Sequence, residues 1–490
     1  MDSEERCVQQ HLSRREFLRV ATLAGGSIAL AACAAPAAPT AAPAEPTAAV
    51  EEPTAAAEEP TAAPAEPTAA PAEGEVVTIA WWNSFSTPTC QEYFPKVIAA
   101  FEETYPGIKV EFEISGGPPG GGEYMEVLLA RIAAGNPPET ATLWTPPGQF
   151  GARGSLAEID DLMATAQYAK PDAFYDAPLK SCQWQGKTYG LPASAGAGCI
   201  FINKAKFEEK GISTKREDFP KTWDELKALS AQFLVEEGGE IKQVGWVPWD
   251  NSYWLKDMWA ALNGSDLYDA AANKYVIDTP ENAEWLAYWV KWLDEQFGGD
   301  IEQFNIYGSW GDVYPESAFQ LGQQVMSNSG AWGCTDAAIP FEWEVAKFPI
   351  GPSGSKHYTS FWPNWFVIPR GAGHVNEAFL LIEWFCTKGW VIWYAATMDT
   401  PAWKEFPEGV LTQKLVDAVG QERAQEIHNF FAEYLLDAVE MWDSPISDFA
   451  NDTLSQAIDE VMHKVKTPEE ALAEAQQLIQ TNLEETLREL

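Results

Sequence analysis

The sequence predicts an α/β protein, and three stretches carry that expectation. Residues 75–144 alternate β-branched or aromatic runs with amphipathic segments, the β-α-β-α-β order of a parallel sheet covered by helices on both faces. Gln185–Lys204, QGKTYGLPASAGAGCIFINK, reads as a turn at Gln185-Gly186, a strand over Lys187–Leu191, a small-residue segment over Pro192–Gly198 and a second strand over Cys199–Asn203. Beyond it, residues 223–297 carry helical periodicity, with Trp285, Trp289 and Trp292 at i, i+4 and i+7. The small residues Ala195–Gly198 leave the backbone free to absorb φ/ψ changes, so the stretch can pass the chain from one sheet to another as a hinge. An ordinary connection within one sheet is the alternative that this local pattern leaves open.

Two segments precede the folding region. Ser13–Arg19 places twin arginines ahead of the apolar run Val20–Ala32, the pattern of a twin-arginine export leader and too short to span a bilayer. Leu30-Ala31-Ala32-Cys33 resembles a lipobox, which makes residues 1–32 a lipoprotein signal peptide and Cys33 the lipidated first residue. Residues 33–75 repeat Pro, Ala, Thr and Glu without one aromatic residue; unable to bury apolar surface, they form a disordered tether stiffened by proline. The 415 residues that follow suffice for two or three sizeable domains. The formal net charge is −40; residues 1–32 hold four acids and four arginines and 33–75 eight acids and no base, so −32 falls on the folding region. Such a charge argues against nucleic acid and anionic membrane surfaces as partners, and leaves the lipid as the membrane contact.

Along the folding region, Glu75–Trp82 is a continuous buried-strand run. A helix then aligns Phe94, Val97, Ile98, Phe101 and Tyr105 before Pro106-Gly107. Ile108, Val110, Phe112 and Ile114 alternate as a strand, a helix covers about 124–134, and Thr140–Trp144 is the third strand. In such sheets ligands gather at the C-terminal strand ends. Thr222 and Glu225 have capping-box spacing at the start of a helix over Trp223–Val235, and further helices cover 253–262 and 283–297. Besides Cys7 and Cys33 there are five cysteines; Cys182 and Cys199 flank the crossover at a spacing that leaves their pairing open, and buried thiols are the expectation for most.

All 22 tryptophans follow Ala80. Trp285, Trp289 and Trp292 at helical spacing, and Trp254, Trp259, Trp384 and Trp393 in amphipathic segments, read as core. Trp82, Trp144, Trp246, Trp249, Trp332, Trp362 and Trp365 instead adjoin Pro, Gly, Asn or Ser at strand ends. Flat rings beside short polar side chains suit a ligand with an apolar face and a hydroxyl edge, as in a pyranose; rings that merely cover sheet edges are the alternative. The loops 83–89, 144–150, 192–198, 245–252, 327–335 and 360–365 hold no Lys or Arg, which favours a neutral solute with Asp250 and Glu123 as hydroxyl acceptors. No GxSxG, HExxH, P-loop or dinucleotide fingerprint occurs, and His357, His374, His428 and His463 lack ligand spacing, so neither metal nor cofactor is expected. Paired carboxylates remain open in so acidic a chain, and with them a secreted glycoside hydrolase.

Taken in order, "GKTYGLP", "FINKAKFEEKG" and "PKTWDEL" resemble the family-1 extracellular solute-binding proteins of ABC importers, the maltose-binding-like group. "FEETYPGIKVEFE", "AAGNPPETA", "GSLAEIDDL", "FQLGQQVMSNSGAWG", "EVAKFPIG", "WFVIP" and "TPEEALAEAQQLIQ" extend the likeness over nearly the whole folding region, with Glu139-Thr140 and Gln323-Gln324 departing from the family pattern. The resemblance implies the two-lobed type II periplasmic-binding-protein-like fold, each lobe a mixed sheet flanked by helices, joined by hinge crossovers. It implies a first lobe of residues 76–193 with 348–397 and a second of 194–347 with 398–490, the third crossing falling at Met398–Trp403. It further implies a sugar cleft lined by Trp82, Asn83, Ser84, Trp332, Trp362 and Asn364, to which the reading of the loops adds Trp144, Trp246, Trp249 and Asp250. The expected protein is a lipid-anchored monomer without enzymatic activity, outside the cytoplasm, that passes a neutral sugar or oligosaccharide to ABC permease subunits. The alternatives are the hydrolase and a binding protein for another neutral or cationic solute such as a polyamine.

Overall fold

The computed structural model describes residues 76–83, 88–114, 122–249, 255–306, 316–336, 338–439, 441 and 444–490. The leader 1–32, Cys33 and its tether, Ser84, Asp250, Trp254 and the side chain of Glu123 lie outside the described residues.

Nine strands build two sheets: β1 at Val77–Asn83, β2 at Ile108–Ile114, β3 at Thr140–Leu143, β4 at Leu191–Pro192, β5 at Gly196–Asn203, β6 at Met326–Gly330, β7 at Trp343–Ala346, β8 at Phe361–Trp362 and β9 at Trp365–Val367. The first sheet runs β2-β1-β3-β9-β4, with β1 parallel to β2 and β3, and β9 antiparallel to β3 and β4. In the second sheet β5 is the centre, pairing antiparallel with β6, β7 and β8. The β-α-β-α-β expectation is met, with helices at Pro88–Thr104 and Gly122–Ala133. Phe94, Val97, Ile98 and Phe101 bury the face of the first helix against the sheet. There the Trp81 ring lies 5.3 Å from Phe94, 4.7 Å from Phe112 and 4.8 Å from Phe385.

The expected core helices take their places around the second sheet. Thr222 and Glu225 close a complete capping box on the helix Trp223–Ala231, and Thr467 and Glu470 do the same on Pro468–Glu489. Such caps satisfy two otherwise orphaned N–H groups apiece. The helix Pro280–Phe297 buries Trp285, Trp289 and Trp292 in one core with Trp223, Trp246 and Trp259. A separate core under the first sheet holds Trp81, Phe366, Trp390 and Trp403. The five cysteines at 90, 182, 199, 334 and 386 are all buried. Cys182 and Cys199 belong to different cores, the Cys182 thiol donating to the Pro178 carbonyl at 3.7 Å, so they do not bridge the crossover. No helix among the described residues is long and apolar enough to cross a membrane.

The chain passes from the first sheet to the second as it leaves β4 at Pro192 and enters β5 at Gly196. It passes again between β8 and β9, so Pro363-Asn364 is the return. Phe348 packs in the core of the second sheet, which puts that return some fifteen residues beyond the boundary expected at 347/348. A third segment runs alongside: Ala195 N–H donates to the Thr400 carbonyl at 2.6 Å, Ala402 N–H to the Ala193 carbonyl at 3.3 Å, and Ala193 N–H to the Asn364 carbonyl at 2.9 Å. The small residues at the crossing are not a slack segment. Ala195, Ala197 and their glycine neighbours are fully buried, and a Cβ on Gly198 would lie 2.8 Å from Ser360 Oγ. Their size answers to close packing of three passing segments, and Gly196–Gly198 already belongs to β5.

Candidate functional site

The strand ends at these crossings gather one set of side chains. Trp144 follows Leu143 and Asn364 precedes Trp365, and since Leu143 and Trp365 are paired, Trp144 and Asn364 extend that pairing by one position. Trp362 pairs with Gly196. Trp332, in the turn after β6, lies across the same glycine: a Cβ there would meet Trp332 Cζ3 at 2.8 Å and Cε3 at 2.9 Å. Gly330 passes beneath the ring even more closely, so two glycines form the floor on which this indole rests. Its turn is tied down from the third crossing, where Met398 N–H donates to Thr335 Oγ1 at 3.0 Å.

Polar groups underlie the rings. Buried Ser194 accepts at Oγ from Asn364 N–H and from Asn364 Nδ2, each at 3.1 Å, and donates to the Trp362 carbonyl at 3.2 Å. Asn364 Nδ2 also reaches Asp399 Oδ2 at 3.4 Å, which accepts from Trp393 Nε1 at 3.3 Å. The Asp399 carbonyl accepts from Trp390 Nε1 at 3.0 Å, fixing the residue at both ends. Trp144, Trp332, Trp362, Asn364 and Asp399 are half-buried amid a band of buried neighbours, the exposure expected of a cleft lining. Asp399 is what the reading of the sequence missed: it lies in the expected third crossing, but no motif marks it.

Four sequence-predicted site residues sit elsewhere. Trp82 is 4% exposed, stacked on Tyr124 at 4.8 Å with the Arg131 guanidinium 5.2 Å from its ring. Asn83 is buried, its Oδ1 accepting from Thr142 Oγ1. Trp246 is a core residue, packed between Trp259 at 5.8 Å and Trp292 at 5.5 Å, its Nε1 donating to Asn328 Oδ1 at 2.8 Å. Trp249, 5% exposed, meets Phe297 edge-on at 5.6 Å. Trp365 is buried as well, donating from Nε1 to Ser181 Oγ at 2.8 Å. In this conformation these indoles spend their faces on protein neighbours. A turn residue beside a tryptophan marks a chain reversal without saying which way the ring faces.

A second contact joins the two cores away from the crossings. Gln149, in the helix Gly148–Ala152 that follows the Trp144 loop, accepts at Oε1 from Asp448 N–H at 3.4 Å. Asp448 opens the helix Ser447–Met462, whose inner face packs in the second core. Burial holds the Asp448 carboxyl above the usual carboxylate range; the Gln149 side chain and Arg153 pull it back, and Asp452 pushes it up. On the next turn Asn451 Oδ1 accepts from Lys256 Nζ at 2.8 Å, and burial lowers this ammonium to about 8. Among the described residues no cluster of three His, Cys, Asp or Glu side chains could hold a metal ion.

Comparison with known proteins agrees with this architecture. The family described as bacterial extracellular solute-binding protein matches residues 84–392. A protein of Brucella abortus (strain 2308) described as a binding protein is 33% identical over 175 residues, 34% of this chain; the chain spans only 37% of that relative's length. The multiple sugar-binding protein of Streptococcus mutans is 24% identical over 268 residues, covering 52% of this chain and 57% of its own. Among solved structures, an ABC substrate-binding protein of Listeria monocytogenes in complex with cycloalternan superposes with a TM-score of 0.67 at 20% identity, over 83% of this chain and 99% of that one. CpMnBP1 with mannotriose bound gives 0.65 at 20% identity, over 82% and 99%. At that identity the likeness is one of fold, the two-lobed α/β arrangement of these binding proteins.

Proposed function

The chain belongs to the bacterial extracellular solute-binding proteins, and we propose that it is the capture component of an ABC importer, taking a neutral sugar or oligosaccharide between its lobes. The observation that carries this reading is the convergence of Trp144, Trp332, Trp362 and Asn364 at the crossings between two separately cored sheets. Indole faces beside amide and carboxylate groups match the apolar face and hydroxyl edge of a sugar ring. The sugar-binding names of relatives such as the Streptococcus mutans protein support the same class. The family is one of binding proteins rather than enzymes, and the role asks for no covalent step.

In the proposed cycle the ligand touches both lobes only when they close, so it draws the population toward the closed form. That form engages a membrane permease. The lobes are 76–193 with the segment from β9 through Trp403, whose indole packs in the core under the first sheet, and 194 through β8 with 404–490. A lipid on Cys33 and the 33–75 tether hold the monomer at the outer face of the membrane.

The test is a thermal-shift and tryptophan-fluorescence screen of the full chain against neutral oligosaccharides, with product analysis alongside. A ligand of the native state raises its apparent stability in proportion to ln(1 + [L]/Kd). The expected result is a saturable shift for at least one sugar with the sugar recovered intact. No shift across the panel, or release of cleaved products, refutes the reading.

A further inference from the structure

Asp399 stands apart from the rest of the site because it brings a carboxylate to a cluster otherwise made of indoles and neutral side chains. Its Oδ2 faces Asn364 Nδ2 and Trp393 Nε1, while its Oδ1 lies 3.5 Å from the point where a Gly196 Cβ would be. Trp332 Cζ3 lies 2.8 Å from that same point. One carboxylate oxygen and one indole edge therefore share the space above a single glycine, at the meeting of all three passing segments. The carboxylate is half-buried, so water competes weakly there, and hydrogen bonds to an ionised acceptor are the stronger kind.

Resting on the sugar reading above, we propose that Asp399 is the specificity-determining acceptor of this site: its carboxylate takes hydroxyl hydrogens of an uncharged ring seated against Trp332, and thereby excludes sugars that carry a carboxylate of their own. A neutral polyol supplies O–H donors to Oδ1 and an apolar face to the indole at once. A uronate brings a like charge to a partly desolvated carboxylate, and the loops around it, 192–198, 327–335 and 360–365, hold no Lys or Arg to offset it. Trp393 and Asn364 position the group, since each donates to Oδ2 rather than to the oxygen recorded beside Gly196.

The experiment titrates the full chain and its D399N variant with maltotriose, mannotriose, cellotriose and arabinotriose by calorimetry, and with trigalacturonate as the anionic counterpart. Asn at 399 keeps an oxygen for Trp393 and Asn364, so the variant should melt as the wild type does; D399S serves as a second variant if it does not. The expected result is that the trisaccharide bound by wild type loses at least tenfold in affinity to D399N, while the preference for neutral over anionic trisaccharide shrinks. A folded D399N or D399S that binds the neutral sugar like wild type, with unchanged discrimination, overturns the role of Asp399 and leaves the sugar reading standing. A wild type that binds none of the four neutral sugars overturns that reading, and this one with it.

Discussion

Replacing Gly196 by alanine is the most direct test of how the candidate site is built. The added methyl would stand 2.8 Å and 2.9 Å from two Trp332 ring carbons, whereas carbon atoms rest at about 3.5–4.0 Å. Gly196 is held in β5 by its pairing with Trp362, so the ring must yield by roughly 0.7–1 Å rather than the backbone. Overpacking of this kind costs about 1–3 kcal/mol. A lifted indole also surrenders stacking worth about 0.5–1.5 kcal/mol, so a sugar lying on Trp332 should weaken by about two- to twelvefold. The assay pairs urea unfolding with calorimetric titration of the sugar found by screening, and near-ultraviolet circular dichroism reports the ring itself. Gly107→Ala is the matched control, because a Cβ there meets nothing within 4 Å. Gly330→Ala, under the same ring and closer, should cost more than Gly196→Ala. Equal midpoints and affinities for Gly196→Ala and Gly107→Ala would refute the seating of Trp332.

Two further predictions concern pH. Asp448 has its pKa raised by burial, so its ionised form costs stability at neutral pH, and that cost fades as pH falls toward the unfolded value near 3.8. Asp448→Asn should therefore melt above wild type at pH 7, with the gap closing in acid; a gap constant with pH would contradict this. Lys256 runs the other way on the pH axis: its folded value of about 8 lies below the unfolded 10.5, so the unfolded chain binds the extra proton in between. Wild-type stability should gain on Lys256→Met as pH rises from about 8 toward 10.5, the tyrosines being common to both chains, and parallel curves would sink the expectation.

Much of the fold was legible because its signals are local. The buried stripe of Phe94, Val97 and Phe101, the Trp285–Trp292 spacing and the Thr222 cap depend on residues within one or two turns of each other. The site was legible only in part. Trp144, Trp332, Trp362 and Asn364 adjoin turn residues and do converge, but Trp82, Trp246 and Trp249 adjoin turn residues too and face inward. What separates the two groups is tertiary: Trp246 turns inward because Val244 bridges to Gln324 and its Nε1 finds Asn328, eighty-two residues on. Small size at Ala195–Gly198 misled for a related reason, since composition does not tell a residue that must move from one that must be thin.

That distinction bears on where the proposed closure takes place. The three passing segments are laced by Ala193–Asn364, Ala195–Thr400 and Ala402–Ala193 backbone bonds and roofed by Trp332, an arrangement that resists local φ/ψ change. The Gln149–Asp448 contact has none of that support: a long backbone-to-amide hydrogen bond, with the Gln149 side chain and Arg153 acting on the Asp448 carboxyl, links elements that share no sheet. In the proposed cycle the contact breaks as the lobes part, exposing the Asp448 carboxyl to water and lowering its pKa. The proton then binds the closed form more tightly than the open one, so by linkage acid should favour closure and raise sugar affinity. In Asp448→Asn that pH dependence should vanish. If acid weakens binding in wild type, or the Asn variant keeps the same slope, the contact does not report on closure and the lobes must part about another line.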